Sequence, residues 1–283
     1  MINEAYSVKK YYKDNFDLVQ KSNLSFFFSS NSFIFCEFSV DFKKILHLAD
    51  IEFNLQNNPS LTLIERLQFI FSNYQLIKNY NKVYINILNT HFTLIPNAFK
   101  NENSNTELLQ FGTGLMKPNH TIEKPINNLT FCYTVEHELK HFLEKTFPIA
   151  IINHSGVISL SLFNSLPSIN NFDIFISINF GFVEISIKQN NDLHFYNVFN
   201  YQSNEDIIYY LLFTVEQLNL NPLTIKVAIA GQIETTDHLI ISLKKYIKHI
   251  NFIINEASIF SSNELKSIPN HFYFSVLNQH LCA

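Results

Sequence analysis

The chain has 283 residues, with 20 Lys and Arg against 24 Asp and Glu and a formal net charge of −4. That balance supplies no electrostatic source for broad binding to a nucleic-acid backbone or an anionic membrane, and five glycines, far below the roughly 7% of average usage, are few for loops that must let a phosphate reach the backbone. The length suits two domains with separate cores, and 29 Phe with 13 Tyr and no Trp mark aromatic rings as the main core filler.

No run approaches the ~18 uninterrupted apolar residues of a membrane span. Met1 to Gln20 is charged and Tyr-rich, without the apolar stretch of a secretion signal. A soluble, cytoplasmic protein is expected. Cys36, Cys132 and Cys282 are an odd, scattered set in apolar surroundings, which points to buried free thiols rather than disulfides or a metal site.

In chain order, Met1 to Asn23 reads as a polar lead-in with room for one docked strand or helix. Leu24 to Phe28 and Phe33 to Val40 are apolar, β-rich runs parted by Ser29-Ser30-Asn31-Ser32, a hairpin turn, and Ile45 to Phe53 is a third strand. Thr62 followed by Glu65 is a capping box, in which hydroxyl and carboxylate each take a free N–H at a helix start. Leu63, Leu67, Ile70, Phe71 and Tyr74 share one face of that helix, and Val83 to Leu88 is the next strand. Asn97 to Lys124 is polar, holds Gly112 and Gly114, and reads as a long loop or insertion. Leu129 to Val135 is a strand, and Glu136 to Lys145 is a short helix stopped by Phe147-Pro148. Ile149 to Leu166 is ambiguous, a strand followed by a helix being one solution; Pro167 to Asn170 is the best candidate for a boundary between domains.

Beyond it, Phe172 to Asn179 and Phe182 to Lys188 flank a turn at Gly181, and Leu193 to Phe199 is a strand. Ser203 and Asp206 form a second capping box, and Ile207, Ile208, Leu211, Leu212, Val215 and Leu218 fall at helical spacing. Thr224 to Ala230 is a β-branched strand ending at Gly231. Thr235 to His249 reads as a helix with Leu239, Leu243, Tyr246, Ile247 and Ile250 inward and Lys244, Lys245 and Lys248 outward. Phe252 to Ile254 is a short strand, and His271 to Ala283 is an apolar tail that packs. The second half repeats the first at an offset of about 145 residues, giving two copies of a β-β-β-α-β unit: an antiparallel meander, a crossover helix and a parallel strand.

His137-Glu138-Leu139-Lys140-His141 is a literal H-E-x-x-H, which sets two imidazoles on one helical face beside a glutamate able to activate zinc-bound water. Lys140 puts a cation inside the motif, and Glu144 and Phe147 stand where the extended signature has a glycine and a third histidine. The charged neighbours read more simply as an ordinary wet helix face. No bound metal is expected, with His137, Glu138 and His141 as the minor, zinc-peptidase alternative.

The repeated unit is the plan of the actin-like ATPase superfamily. More narrowly, Asn197-x-Phe199-x-Tyr201, the capped helix Glu205 to Phe213, the strand end Ala230-Gly231-Gln232-Ile233 and the closing Leu281-Cys282-Ala283 resemble an uncharacterised bacterial family, of Bacteroidetes type, with that fold. The resemblance implies an α/β protein of two RNase-H-like subdomains in the actin-like arrangement, facing each other across a cleft, each a mixed sheet with flanking helices. The first covers residues 1–167 with an inserted loop near 97–127, the second residues 168–283. Active members of the superfamily cradle phosphates on the first hairpin turn of each subdomain, with an Asp for the metal and glycines for close approach. Here the first turn, Ser29 to Ser32, has neither, and in the second Gly181 remains but Asn179 offers an amide where a carboxylate would stand. An amide cannot supply the charge that holds Mg²⁺ against a triphosphate. Asn179 is therefore expected to close its turn through its own backbone, as Asx side chains do.

The leading expectation is a non-catalytic protein-interaction or scaffold module with degenerate phosphate turns. It needs no cofactor and binds a protein partner or a second copy of itself rather than nucleic acid or membrane. The alternative is an ATP-binding enzyme or nucleotide-dependent switch, with Asn179, Gly181 and Gly231 as the residues that would meet the nucleotide.

Overall fold

The computed structural model of the chain describes residues 6–14, 21–56, 60–99, 105–115, 120–165, 171–190, 192–255 and 265–282. Packing divides it into two units. The described residues of Met1–Asp41 and Leu46–Val157 make the first, and those of Phe42–Ile45 and Ile158–Cys282 the second. The expected boundary at Pro167 to Asn170 lies outside the described residues.

In the first unit β1 (Tyr6–Lys13), β2 (Asn23–Phe28), β3 (Ser32–Phe38) and β4 (Ile45–Phe53) precede α1 (Leu63–Asn73) and β5 (Lys82–Ile87). Thr62 and Glu65 cap α1 reciprocally, Glu65 Oε2 accepting the Thr62 N–H at 2.7 Å and Thr62 Oγ1 the Glu65 N–H at 3.3 Å. β2 and β3 pair antiparallel from Asn23↔Phe38 to Phe28↔Phe33, and β2 and β5 pair parallel from Asn23↔Lys82 to Phe28↔Ile87. Next come β6 (Phe92–Pro96), α2 (Asn105–Thr113), β7 (Thr121–Ile126), β8 (Leu129–Thr134), α3 (His137–Thr146) and β9 (Ala150–His154). A six-stranded sheet runs β1-β4-β3-β2-β5-β9, and a three-stranded sheet runs β6-β8-β7.

α4 (Ser155–Ser165) leads into the second unit, where β10 (Ile174–Asn179), β11 (Phe182–Gln189), β12 (Asp192–Asn200), α5 (Asn204–Gln217) and β13 (Lys226–Gly231) repeat the first meander, helix and strand. α6 (His238–Leu243), β14 (His249–Phe252) and α7 (Phe274–Asn278) complete it. Its sheet runs β12-β11-β10-β13-β14. The order β12-β11-β10-β13 matches β4-β3-β2-β5, so the two units carry the same RNase-H-like core, each a mixed sheet with flanking helices. Among the described residues no helix is long and apolar enough to cross a membrane.

Three expectations change. Rings fill the first core: Phe26, Phe33, Phe71 and Phe147 meet with centroids 5.2–5.9 Å apart. The main core of the second unit is instead aliphatic, from Ile174, Ile176 and Ile178 through Leu211 and Val215 to Leu243 and Ile247. Composition summed over the chain hides this division. The stretch 97–124 is not structureless, since it holds α2 and most of β7. Its signal is weak because α2 buries only Asn105 and Leu109, and in β7 only Ile126 is buried. Lastly, the helix expected from Thr235 to His249 is confined to α6; Tyr246 is 53% exposed, and the strand expected at Phe252 to Ile254 is β14, three residues earlier. After Leu243 the chain closes tight turns, Lys245 N–H to Ser242 O and Tyr246 N–H to Leu243 O. They bring His249 beside Lys226 in a parallel pair, so the sheet edge overrides the helical periodicity.

Candidate functional site

The second hairpin joins β10 to β11 through Phe180 and Gly181, with Asn179 opposite Phe182. Gly181 has φ +73°, a region that costs an L side chain roughly 1–2 kcal/mol. Tyr201 seals the turn from β12's end: its N–H donates to Gly181 O at 3.1 Å and its hydroxyl to Asn179 O at 3.1 Å. β13 lies parallel to β10 and sets Gly231 opposite Ile178. Gly231 has φ +106°, and a Cβ there would stand 1.9 Å from the Ile178 carbonyl oxygen. Gln232 follows; its N–H donates to Ile178 O at 2.8 Å, and its side-chain Oε1 accepts the Phe180 N–H at 3.0 Å. Asn179, Gly181 and Gly231 are thus brought together at one corner of the sheet.

Asn179 does not close its own turn. Its Nδ2 donates to Ser177 Oγ at 3.3 Å and to Glu184 Oε1 at 3.4 Å, a correction of the expected Asx contact. Glu184 draws the amide inward because its carboxylate, 1% exposed, also takes the Tyr196 hydroxyl at 2.8 Å and the Ser159 hydroxyl at 3.0 Å. Burial, then the Glu184 charge, pushes the Tyr196 phenol well above its ordinary pKa, so it stays a donor. Glu184, Ser186 and Lys188 alternate with Val183, Ile185 and Ile187, a pattern that by itself marks a solvent-facing side, so nothing local singles out Glu184. The signal available was α4, whose Val157, Ile158, Leu160, Leu162 and Phe163 are spread around the helix instead of along one stripe; such a helix is buried, and so is the face it packs on. Lys188 confirms the cover: its ammonium donates to Phe163 O and sits 3.8 Å from that ring's centroid. Burial lowers its pKa to about 8.

In the first unit the equivalent turn is Ser30-Asn31 between β2 and β3. The Ser29 N–H donates to Ser32 O at 3.0 Å, while Ser29 Oγ accepts the Asn31 N–H at 3.1 Å and the Ser32 N–H at 3.2 Å. Ser29 is 1% exposed. One hydroxyl thereby occupies two of the donors that a phosphate would need.

His137, Glu138 and His141 lie elsewhere, on the exposed side of α3. The two imidazole rings are parallel with centroids 6.5 Å apart. Lys140, inside the motif, pairs with Glu144 at 3.0 Å. Among the described residues no three His, Cys, Asp or Glu side chains gather to hold a metal ion. His154 serves structure: fully buried against the Phe92, Phe131 and Tyr133 rings, its Nδ1 accepts the Gly156 N–H at 2.9 Å, which leaves Nε2 to donate to Asn89 O at 3.0 Å. Burial lowers its pKa to about 3, so it stays neutral.

The chain is similar to a Bacteroides thetaiotaomicron protein with actin-like ATPase fold and unknown function, at 22% identity and TM-score 0.72, over 90% of this chain and 98% of that one. It is also similar to the PilM-PilN type IV pilus biogenesis complex, at 10% identity and TM-score 0.60, over 90% of this chain and 96% of the other. Identities this low carry the fold alone, and the fold is actin-like. No curated protein matches the chain. Residues 13–250 match the family described as "Protein of unknown function (DUF3822)", and the chain belongs to that family.

Proposed function

We propose that this protein is a non-catalytic protein-interaction module whose two hairpin turns keep the frame of a phosphate-binding fold while spending their donors internally. The observation that carries the reading is the pair of closed turns. Ser29 Oγ holds the Asn31 and Ser32 N–H groups in one copy, and Gln232 Oε1 holds the Phe180 N–H in the other. A phosphate would have to break these bonds, giving up contacts worth about 1 kcal/mol each before making its own.

The nucleotide and Mg²⁺ that the fold implies do not fit these residues. Neither turn bears an acid, and the carboxylate that meets Asn179, Glu184, is buried and takes the Ser159 and Tyr196 hydroxyls as well. The glycine at 231 has a reason of its own in the approach of Ile178 O, so Asn179, Gly181 and Gly231 need no nucleotide to explain them. No catalytic step follows from this geometry. Interaction is supported by the PilM-PilN complex, in which a protein of this fold assembles with another protein. Calorimetry with ATP and Mg²⁺ tests the reading: no binding tighter than about 100 μM, roughly 5.5 kcal/mol, is expected. A tighter site would overturn it in favour of a nucleotide-dependent switch.

A further inference from the structure

Within the first unit, a groove of about 410 Å³ runs between the three-stranded sheet and the edge of the six-stranded one. β7 and the residue before it, His120, form one wall; Ala150 and Ile152 of β9 form the other, with Lys140 and Glu144 of α3 between. Both walls are strand edges. Among the described residues β7 pairs only with β8, and β9 only with β5.

The two edges of the six-stranded sheet are protected very differently. β1, at the far edge, carries Lys9, Lys10 and Lys13 and a register shift between Val8 and Lys10, the usual devices against stray pairing. β9 reads Ala-Ile-Ile-Asn-His, with neither formal charge nor proline, and Ile151 within it and Ile149 just before it are exposed. The groove's charges are also unevenly settled. Lys140 pairs with Glu144 at 3.0 Å and Glu123 accepts the Asn105 amide at 2.9 Å, whereas Lys124 has no side-chain partner among the described residues.

We propose that this groove docks an extended segment of a partner protein, which adds to the open edge of β9 as a further strand and sets an acidic side chain against Lys124. The inference rests on the interaction-module reading and names its surface. Ile152 O already accepts the Tyr133 hydroxyl at 3.5 Å and the Ala150 N–H already donates to Phe147 O at 2.9 Å, so pairing with the remaining main-chain groups along β9, about 16 Å of edge at roughly 3.3 Å per residue, supplies the affinity together with side-chain contacts. Lys124, with Ile122 and Ile152, supplies the selectivity by charge and apolar contact.

The test pans a phage-displayed library of random short peptides on the full chain, then measures fluorescence anisotropy with a selected peptide carrying fluorescein. The selected sequences are expected to alternate apolar residues and to share an Asp or Glu. Lys124→Glu should weaken binding at least about tenfold, or 1.4 kcal/mol, and exchanging the peptide's acid for lysine should restore it. A peptide methylated on alternate backbone nitrogens, with every side chain kept, should not bind. Failure to select any binder, or affinities indifferent to Lys124→Glu and to methylation, would overturn the proposal. So would light scattering that shows a dimer lost in Lys124→Glu, because a second copy would then fill the groove. Peptides that bind elsewhere sink the groove and spare the non-catalytic reading; ATP binding does the reverse.

Discussion

Phe28, Ser29, Ile87 and Leu88 hold in the first copy the positions that Ile178, Asn179, Gly231 and Gln232 hold in the second. Leu88 donates its N–H to Phe28 O at 2.9 Å as Gln232 donates to Ile178 O at 2.8 Å. The framework is one; what closes the turn differs. The first copy uses a hydroxyl from within the hairpin, and the second reaches across from the end of β13 with the Gln232 amide. Because Ile87 stands where Gly231 does, the repeat itself does not require glycine there. The second copy requires it because its chain bends at φ +106° beneath Ile178 O and offers the Gly231 N–H to His271 O at 2.9 Å. Shared topology therefore does not predict which residues at this corner are replaceable.

The severest break in the comparison is Gly231→Ala. The new Cβ meets backbone, not a flexible side-chain end, so relief means moving β10 or β13. A loss of about 4 kcal/mol or more is expected, in the exceptional range for one substitution. Urea unfolding that puts Gly231→Ala within about 1 kcal/mol of the parent would show that the corner gives way easily.

Asn179→Asp comes next. It removes the amide donated to Glu184 and puts a second carboxylate beside a buried one, at an expected cost of about 2–3 kcal/mol near pH 8. A proton shared by the two carboxyls relieves the repulsion in the folded state, whose pKa for the pair is then raised above the unfolded value. Stability so held is present at low pH and lost as pH rises through the raised pKa, so the deficit should shrink on going down to about pH 5. Asn31→Asp, in the other turn, keeps the acceptor that Ser30 Oγ uses and should change stability by less than about 0.5 kcal/mol. Equal costs at the two turns would mean that Glu184 does not set the difference.

The repeat was legible because its signals are local. Both capping boxes formed, and the strand spans from β2 to β5 and from β10 to β13 follow apolar runs that end at turns. What stayed hidden depends on partners distant in sequence. Glu184 looks solvent-facing until α4 lies over it. α6 stops early because β14 must reach β13, and α2 leaves only Leu109 and Asn105 to mark it. At the candidate site the missing acids could be read directly, but the closing of the turns could not. Gln232 lies 52 residues from the Phe180 N–H it accepts, and nothing in either local pattern links them.

Removing the two closures themselves, by Ser29→Ala and Gln232→Ala, should cost less than Gly231→Ala and should separate the two turns. Ser29 is almost fully buried, and its hydroxyl serves two N–H groups while lying 3.1 Å from Ser32 Oγ. Its loss strands the buried Ser32 N–H and should cost about 1–3 kcal/mol. Phe180 is 37% exposed, so water can replace Gln232 Oε1 at its N–H, and Gln232→Ala should cost only about 0.5–1 kcal/mol. The order matters more than either value, because it follows from where each turn finds its acceptor: inside the fold in one copy, at the solvent edge in the other. Thermal unfolding of both variants beside the parent measures it. Gln232→Ala also frees one N–H where the fold would take a phosphate, yet the turn still has no acid. Calorimetry on Gln232→Ala should therefore find no ATP affinity, and if this one substitution created a site, the side-chain closure alone would be what keeps the nucleotide out.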